Sequence, residues 1–142
     1  MENKRGLTLI DLFAGCGGIS EGFMSSGYKV ISAVEHDKSI GETLIKNHPE
    51  TKVFINDIAD VGTKDLVLDD EEIDIVVGGP PCQGFSTARL SNATEKIGKI
   101  NKKRNQLYLE FFRTVDIVRP RFFLIENVKG LVSVNKGAFV KD

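Results

Sequence analysis

The sequence has few cysteines, few histidines, no long apolar run and almost no net charge. Of its 142 residues, two are cysteine and two are histidine. Cys16 and Cys82 stand far apart, with no CxxC pair and no clustered histidines, so neither a disulfide framework nor a zinc site is expected. A reduced, cytoplasmic compartment follows. The N-terminal MENKRGLTLIDLF holds only a short apolar stretch, unlike the apolar core of a signal peptide, and nowhere do about 18 apolar residues run uninterrupted. Neither export nor a membrane span is expected. With 19 basic residues against 20 acidic ones and a net charge of −1, any contact with nucleic acid has to rest on a local basic patch. No internal repeat, low-complexity tract or Pro/Gly-rich linker divides the chain.

What is present is enough apolar material, 41% of residues, to build one core in one domain. Charge is uneven: DLVLDDEEID from Asp65 is acidic, and TARLSNATEKIGKINKKR from Thr87 is strongly basic. Four apolar runs, LTLIDLF from Leu7, KVISAVE from Lys29, IDIVVGG from Ile73 and FFLIENV from Phe122, are rich in β-branched residues and bounded by Gly, Pro or charge. They read as strands of a parallel sheet buried on both faces; KVFIND from Lys52 is a weaker strand. Helical spacing marks Ile19 to Ser26, Lys38 to Asn47 and Asn105 to Val118, the last with Leu107, Phe111, Val115 and Val118 on one face. Pro120 stops that helix before the next strand. The alternation predicts a doubly wound, mostly parallel α/β fold with right-handed crossovers. Function then gathers at the carboxyl ends of strands.

Each candidate motif follows such a strand. In DLFAGCGGIS from Asp11, glycines let the backbone turn sharply and approach a ligand, and the helix behind them offers free N–H groups. The spacing is not GxGxxG, which speaks against a pyrophosphate. Glu35 ends the second strand, where an acid accepts hydrogen bonds from both hydroxyls of a ribose. Asp57 ends the third and suits an exocyclic adenine amine. Together they point to an adenosine-containing cofactor, although a glycine turn alone is as often only a close helix–strand contact.

GGPPCQGFS from Gly78 places Cys82 behind two prolines, on a turn of low entropy. A nucleophilic thiol needs a lowered pKa or a proton-handling partner, and Glu126, at the end of another strand, is available. Neither His36 nor His48 is placed to form a Cys–His pair. Cys16 is expected to be a buried thiol or to line the glycine loop.

DLFAGCGGIS, GGPPCQGFS and ENV, in this order and spacing, closely resemble the motifs of the cytosine-C5 DNA methyltransferases, and the resemblance covers essentially the whole chain. It implies a Rossmann-like fold that uses S-adenosyl-L-methionine, with S-adenosyl-L-homocysteine as product. Phe13, Gly15, Gly17 and Gly18 would line the cofactor site, Glu35 would hold the ribose, and Asp57 with Ile58 would meet the adenine. His36, Pro80 and Leu107 would pack near the cofactor. Cys82 would attack C6 of a cytosine flipped out of double-stranded DNA while Glu126 stabilises charge at N3. Pro80, Gln83, Ser86 and Asn127 would surround the base or support its loop, and the basic stretch from Arg89 to Arg104 resembles the loop that closes over DNA.

Full members of the family continue with an arginine-bearing motif, a target-recognition domain and a returning C-terminal segment, which these residues do not include. Residues 1–142 therefore read as the N-terminal part of the catalytic domain, expected to pair with a complementing C-terminal half or to self-associate through an exposed sheet edge. The resemblance implies bacterial restriction–modification, with action at the nucleoid in the cytoplasm. A transfer-RNA cytosine-C5 methyltransferase and a non-catalytic cofactor-binding fragment are the alternatives.

Overall fold

The computed structural model describes residues 6–68, 71–81 and 107–126. Five strands, β1 (Thr8–Leu12), β2 (Lys29–Glu35), β3 (Lys52–Ile55), β4 (Ile75–Gly78) and β5 (Phe122–Ile125), form one sheet in the order β3-β2-β1-β4-β5. Every neighbouring pair is parallel. Helices α1 (Gly18–Ser25), α2 (Lys38–Asn47), α3 (Thr63–Leu66) and α4 (Leu107–Val118) provide the crossovers. The chain steps outward from β1 to β3, then returns to place β4 on the other side of β1. Loops leaving β1 and β4 part at that reversal, which opens a crevice at the carboxyl ends of the strands.

The period-2 geometry of β1 sends Leu9 to one face and Ile10 and Leu12 to the other, and all five of its residues are buried. Ile10, Leu12, Val76, Ile58, Leu66 and Phe111 make the larger core, to which Leu107, Val115 and Val118 of α4 add their shared face. Leu9, Val30 and Val77 pack on the opposite side with Ile19 and Phe23 of α1. The expected apolar face of α4 is therefore the one it buries. That helix ends where Arg119 turns left-handed, at φ 54, and its N–H donates to Val115 O at 2.9 Å, before Pro120 ends the run.

The helices differ in how they begin. Asp37 caps α2 in the ordinary way, accepting from the Ile40 N–H at 3.0 Å. The N-cap of α1 is Gly17, which has no side chain to offer. Buried Asp11, reaching from β1, instead ties the first turn of α1 to the sheet by accepting from Ser20 Oγ at 2.6 Å.

Two sequence expectations change here. β5 is not buried on both faces: Phe122, Phe123 and Leu124 are exposed, because β5 is an edge strand among the described residues. Cys16 is exposed on the glycine loop, so the buried-thiol alternative falls. The 3-10 turn Ile58–Asp60 and the short α3 were not anticipated; Asp57, which caps that turn through the Ala59 N–H, was the available signal. Among the described residues no helix is long and apolar enough to cross a membrane.

Candidate functional site

The glycine loop begins with strain. Phe13, directly after β1, has φ 60, a left-handed conformation that costs a bulky residue about 1–2 kcal/mol and persists only where its surroundings impose it. Ala14 N–H then donates to Val34 O at 3.0 Å, which ties the loop to β2. Gly17 follows at φ 93, and a side-chain carbon there would fall 2.2 Å from His48 Nε2 and 2.8 Å from Leu44 Cδ1. Both the backbone angle and the close approach of α2 require glycine at this position.

Glu35, at the end of β2, is held from both sides. Gly15 N–H donates to Oε2 at 2.9 Å and Asp37 N–H donates to Oε1 at 2.7 Å. Each carboxylate oxygen keeps further acceptor capacity after these bonds. The orientation of the acid is thus fixed by backbone, with lone pairs left over for a ligand.

Beside Glu35 lies a cleft of about 290 Å³ at the carboxyl ends of the strands. It brings together six residues singled out in the sequence, Phe13, Glu35, His36, Asp57, Ile58 and Leu107, and adds Val34, Asn56, Gly79 and Pro81. The volume is near the lower end for small-molecule sites, which run from about 300 Å³ upward. Apolar walls from Phe13, Ile58 and Leu107 with an oriented carboxylate at one end suit a flat ring attached to a diol. An adenosine-type group fits these residues. Gly15, Gly17 and Gly18 stand behind the cleft, connected to it by the Gly15–Glu35 bond, and Pro80 is buried beside Pro81. All four added residues are immediate neighbours of predicted ones, Val34 of Glu35, Asn56 of Asp57, and Gly79 and Pro81 of Pro80, and only their strand-end position could have marked them.

The second part of the site lies across β4. Glu126 N–H donates to Gly78 O at 3.0 Å, continuing the β4–β5 pairing by one residue. Its Oε2 would be 3.2 Å from a side-chain carbon built on Gly79. The carboxylate therefore overlies the first residue of the turn that leads to Cys82. Cys82, Gln83, Ser86 and Asn127 lie outside the described residues, as does the basic stretch from Arg89 to Arg104.

Beneath the loop, burial pushes the Asp11 carboxyl up from 3.8 to about 6; the Ser20 hydrogen bonds and His48 pull it down, and Glu35 pushes it further up. His48 is itself buried against Gly17. Sequence alone says of it only that it is not placed to pair with Cys82.

Known proteins resemble the chain over nearly all of its length. The family model for C-5 cytosine-specific DNA methylase matches residues 7–142. Type II methyltransferase M.DdeI of Desulfomicrobium norvegicum is 40% identical over 138 residues, covering 96% of this chain and 32% of the relative. Type II methyltransferase M.AquIA of Picosynechococcus sp. is 41% identical over 141 residues, covering 96% of this chain and 53% of the relative. In the solved structure of a prophage-encoded E. coli protein described as a DNA modification methyltransferase, 36% identity accompanies a TM-score of 0.77, over 95% of this chain and 35% of that one. The chain thus spans between about a third and about half the length of these proteins. With its parallel sheet, its glycine loop and a family match across nearly all its residues, the chain belongs to the C-5 cytosine-specific DNA methylases.

Proposed function

We propose that this chain carries the first part of the catalytic domain of a DNA cytosine-5 methyltransferase that serves restriction–modification, acting on bacterial DNA in the cytoplasm. The observation that carries the reading is the cleft in which Glu35, oriented by two backbone N–H groups, faces Phe13, Ile58 and Leu107. Glu35 would take the two ribose hydroxyls, Asp57 with Ile58 the adenine edge, and Phe13, His36 and Leu107 its faces. Gly15, Gly17 and Gly18 would let the backbone approach the amino-acid end, and Pro80 would separate cofactor from base. S-adenosylmethionine, when bound, supplies an electrophilic methyl group.

The target cytosine has to leave the stack before its C6 can be reached. Cys82, as thiolate, would form the Sγ–C6 bond while a proton delivered by Glu126 neutralises the negative charge that develops at N3, which leaves C5 nucleophilic as an enamine carbon. Once C5 is methylated, transfer of its proton to a base and cleavage of the Sγ–C6 bond restore the aromatic ring and release Cys82 as the thiolate. Gln83, Ser86 and Asn127 would support the base and its loop. Apolar β5 and a neighbouring concavity of about 530 Å³, lined by Phe112, Arg119, Arg121 and Phe123, would receive the remainder of the catalytic domain. The relatives' greater length supports that assignment; without that remainder the edge would pair copies of the chain.

A duplex containing 5-fluorocytosine tests the chemistry, because fluorine blocks the last elimination. The assembled enzyme should form a covalent adduct that Cys82→Ala abolishes. An adduct undiminished in the Cys82→Ala protein would sink the assignment.

A further inference from the structure

Three successive residues of the glycine loop are held by three different groups. Gly15 N–H donates to Glu35 Oε2 at 2.9 Å, Cys16 O accepts from Asn47 Nδ2 at 3.1 Å, and Gly17 lies against the His48 ring. The last two holds come from the end of α2. His48 is its C-cap, 2% exposed, with its backbone N–H donating to Leu44 O at 2.9 Å. Its Nδ1 is buried with no hydrogen-bond partner, so no hydrogen bond at that atom holds the ring, and its packing against Gly17 is the contact that bears on the loop. Asn47 is exposed. Neither residue lines the cleft.

A loop with glycines at φ 58 and 93 has little stiffness of its own, since glycine populates both hands of the backbone readily. Its shape has to be imposed by neighbours. Glu35 supplies one restraint, and that same carboxylate must also keep its remaining lone pairs directed into the cleft. If Cys16 and Gly17 drift, the Gly15 N–H moves off Oε2 and the carboxylate loses one of its two anchors.

We infer that Asn47 and His48 are positioning residues: by fastening Cys16 and Gly17 they fix the glycine loop on Glu35 and thereby set the affinity of the cleft for the S-adenosyl cofactor. This rests on the reading of the cleft given above. The two residues work differently. Asn47 acts through one donor, so Asn47→Asp, with the same shape and no donor, fails as Asn47→Ala does. His48 acts through its ring, so His48→Phe restores what His48→Ala loses.

The test uses the full 142-residue chain, with S-adenosylhomocysteine titrated calorimetrically and hydrogen exchange read at the amides of residues 13–18. Asn47→Asp and Asn47→Ala should weaken binding about 5-fold, the effect of one modest hydrogen bond, and speed exchange in the loop while the thermal midpoint stays put. His48→Ala should do the same with some loss of stability, and His48→Phe should bind as the parent does. Unchanged affinity and unchanged loop exchange in Asn47→Asp would overturn the inference, as would His48→Phe behaving like His48→Ala. A parent chain that binds no S-adenosyl compound would instead sink the cofactor reading, and the exchange rates would then decide alone whether the end of α2 fastens the loop.

Discussion

β1 and β5 are short apolar strands of the same parallel sheet, yet they end in opposite conditions. All five residues of β1 are buried, whereas Phe122, Phe123 and Leu124 of β5 are 65%, 53% and 50% exposed. Phe123 even stacks edge-on with Phe111 and Phe112 of α4, at centroid distances of 6.3 and 6.0 Å, and half of it still meets solvent. Position in the strand order separates them: β1 has β2 and β4 at its sides and helices on both faces, while β5 has a neighbour only in β4 among the described residues. The half of the molecule that forms the cleft beside Glu35 is packed and pinned. Among the described residues, the half that leads to Cys82 and Glu126 borders an exposed apolar edge.

The largest effect expected from this contrast is on turnover. Flipping a base costs a few kcal/mol of stacking and pairing, and among the described residues the half with Glu126 offers little surface to offset that. The 142-residue chain should show methyl transfer to duplex DNA below detection, with activity appearing when the remainder of a catalytic domain is supplied. Sequence-specific methylation by the purified chain alone would erase the distinction between the halves. Next in size is stability. Phe111 is fully buried and Phe123 is not, so Phe111→Ala should cost about 3–5 kcal/mol and Phe123→Ala less than about 1 kcal/mol. Urea denaturation of both variants checks this, and equal losses would mean that the edge is covered in solution. Charge on the edge, as in Phe123→Lys, should at the same time reduce self-association in sedimentation experiments.

The sequence made the two strands look alike because periodicity and composition record what a residue can do if covered and not whether anything covers it. FFLIE and TLIDL are equally good buried strands by that measure. The doubly wound order, the four main strands, α2 and the inward face of α4 were legible, since each depends on local pattern and punctuation. Of the cleft residues, Glu35 and Asp57 were legible from their strand ends, whereas Phe13, His36, Ile58 and Leu107 were legible only through the resemblance to a known family. The role of Asp11 was not. A lone aspartate inside an apolar strand carries no local sign that it will accept from Ser20 Oγ in the first turn of α1, and His48 carries none that it will lie under Gly17. Both are consequences of packing between elements distant in sequence.

Asp11 sharpens the contrast by showing what the packed half contends with. Its carboxyl titrates near pH 6 in the folded chain against 3.8 ordinarily. Between those values the folded protein holds a proton that the unfolded chain has released, so raising the pH favours unfolding, and the contribution is lost completely once the pH passes about 6. One pKa unit is about 1.4 kcal/mol, so the whole effect is at most about 3 kcal/mol. Asp11→Asn keeps an oxygen for Ser20 and cannot ionise. Its stability relative to the parent should therefore rise between pH 4 and 6.5 and level off above, as measured by urea unfolding at each pH; a flat difference would mean that Asp11 is ionised throughout.

The smallest effect lies at Glu35, and it bears most directly on what the packed half is for. Glu35 is half-buried, and its two oxygens already accept the Gly15 and Asp37 N–H groups. Removing the side chain leaves those two donors near solvent, where water replaces the carboxylate, so the fold should lose little. A bound ribose would lose a pair of hydrogen bonds to a charged acceptor, worth about 2 kcal/mol or more. Glu35→Ala should consequently weaken S-adenosylmethionine binding about 30-fold with nearly unchanged thermal stability. Glu35→Gln separates charge from shape: it retains an acceptor for Gly15 N–H but presents an amide donor on its other arm, so it should recover only part of the loss. Calorimetry on the parent and both variants distinguishes the outcomes. Equal affinity in all three would mean that the carboxylate serves the loop alone and that the cleft holds its ligand by the apolar walls of Phe13, Ile58 and Leu107.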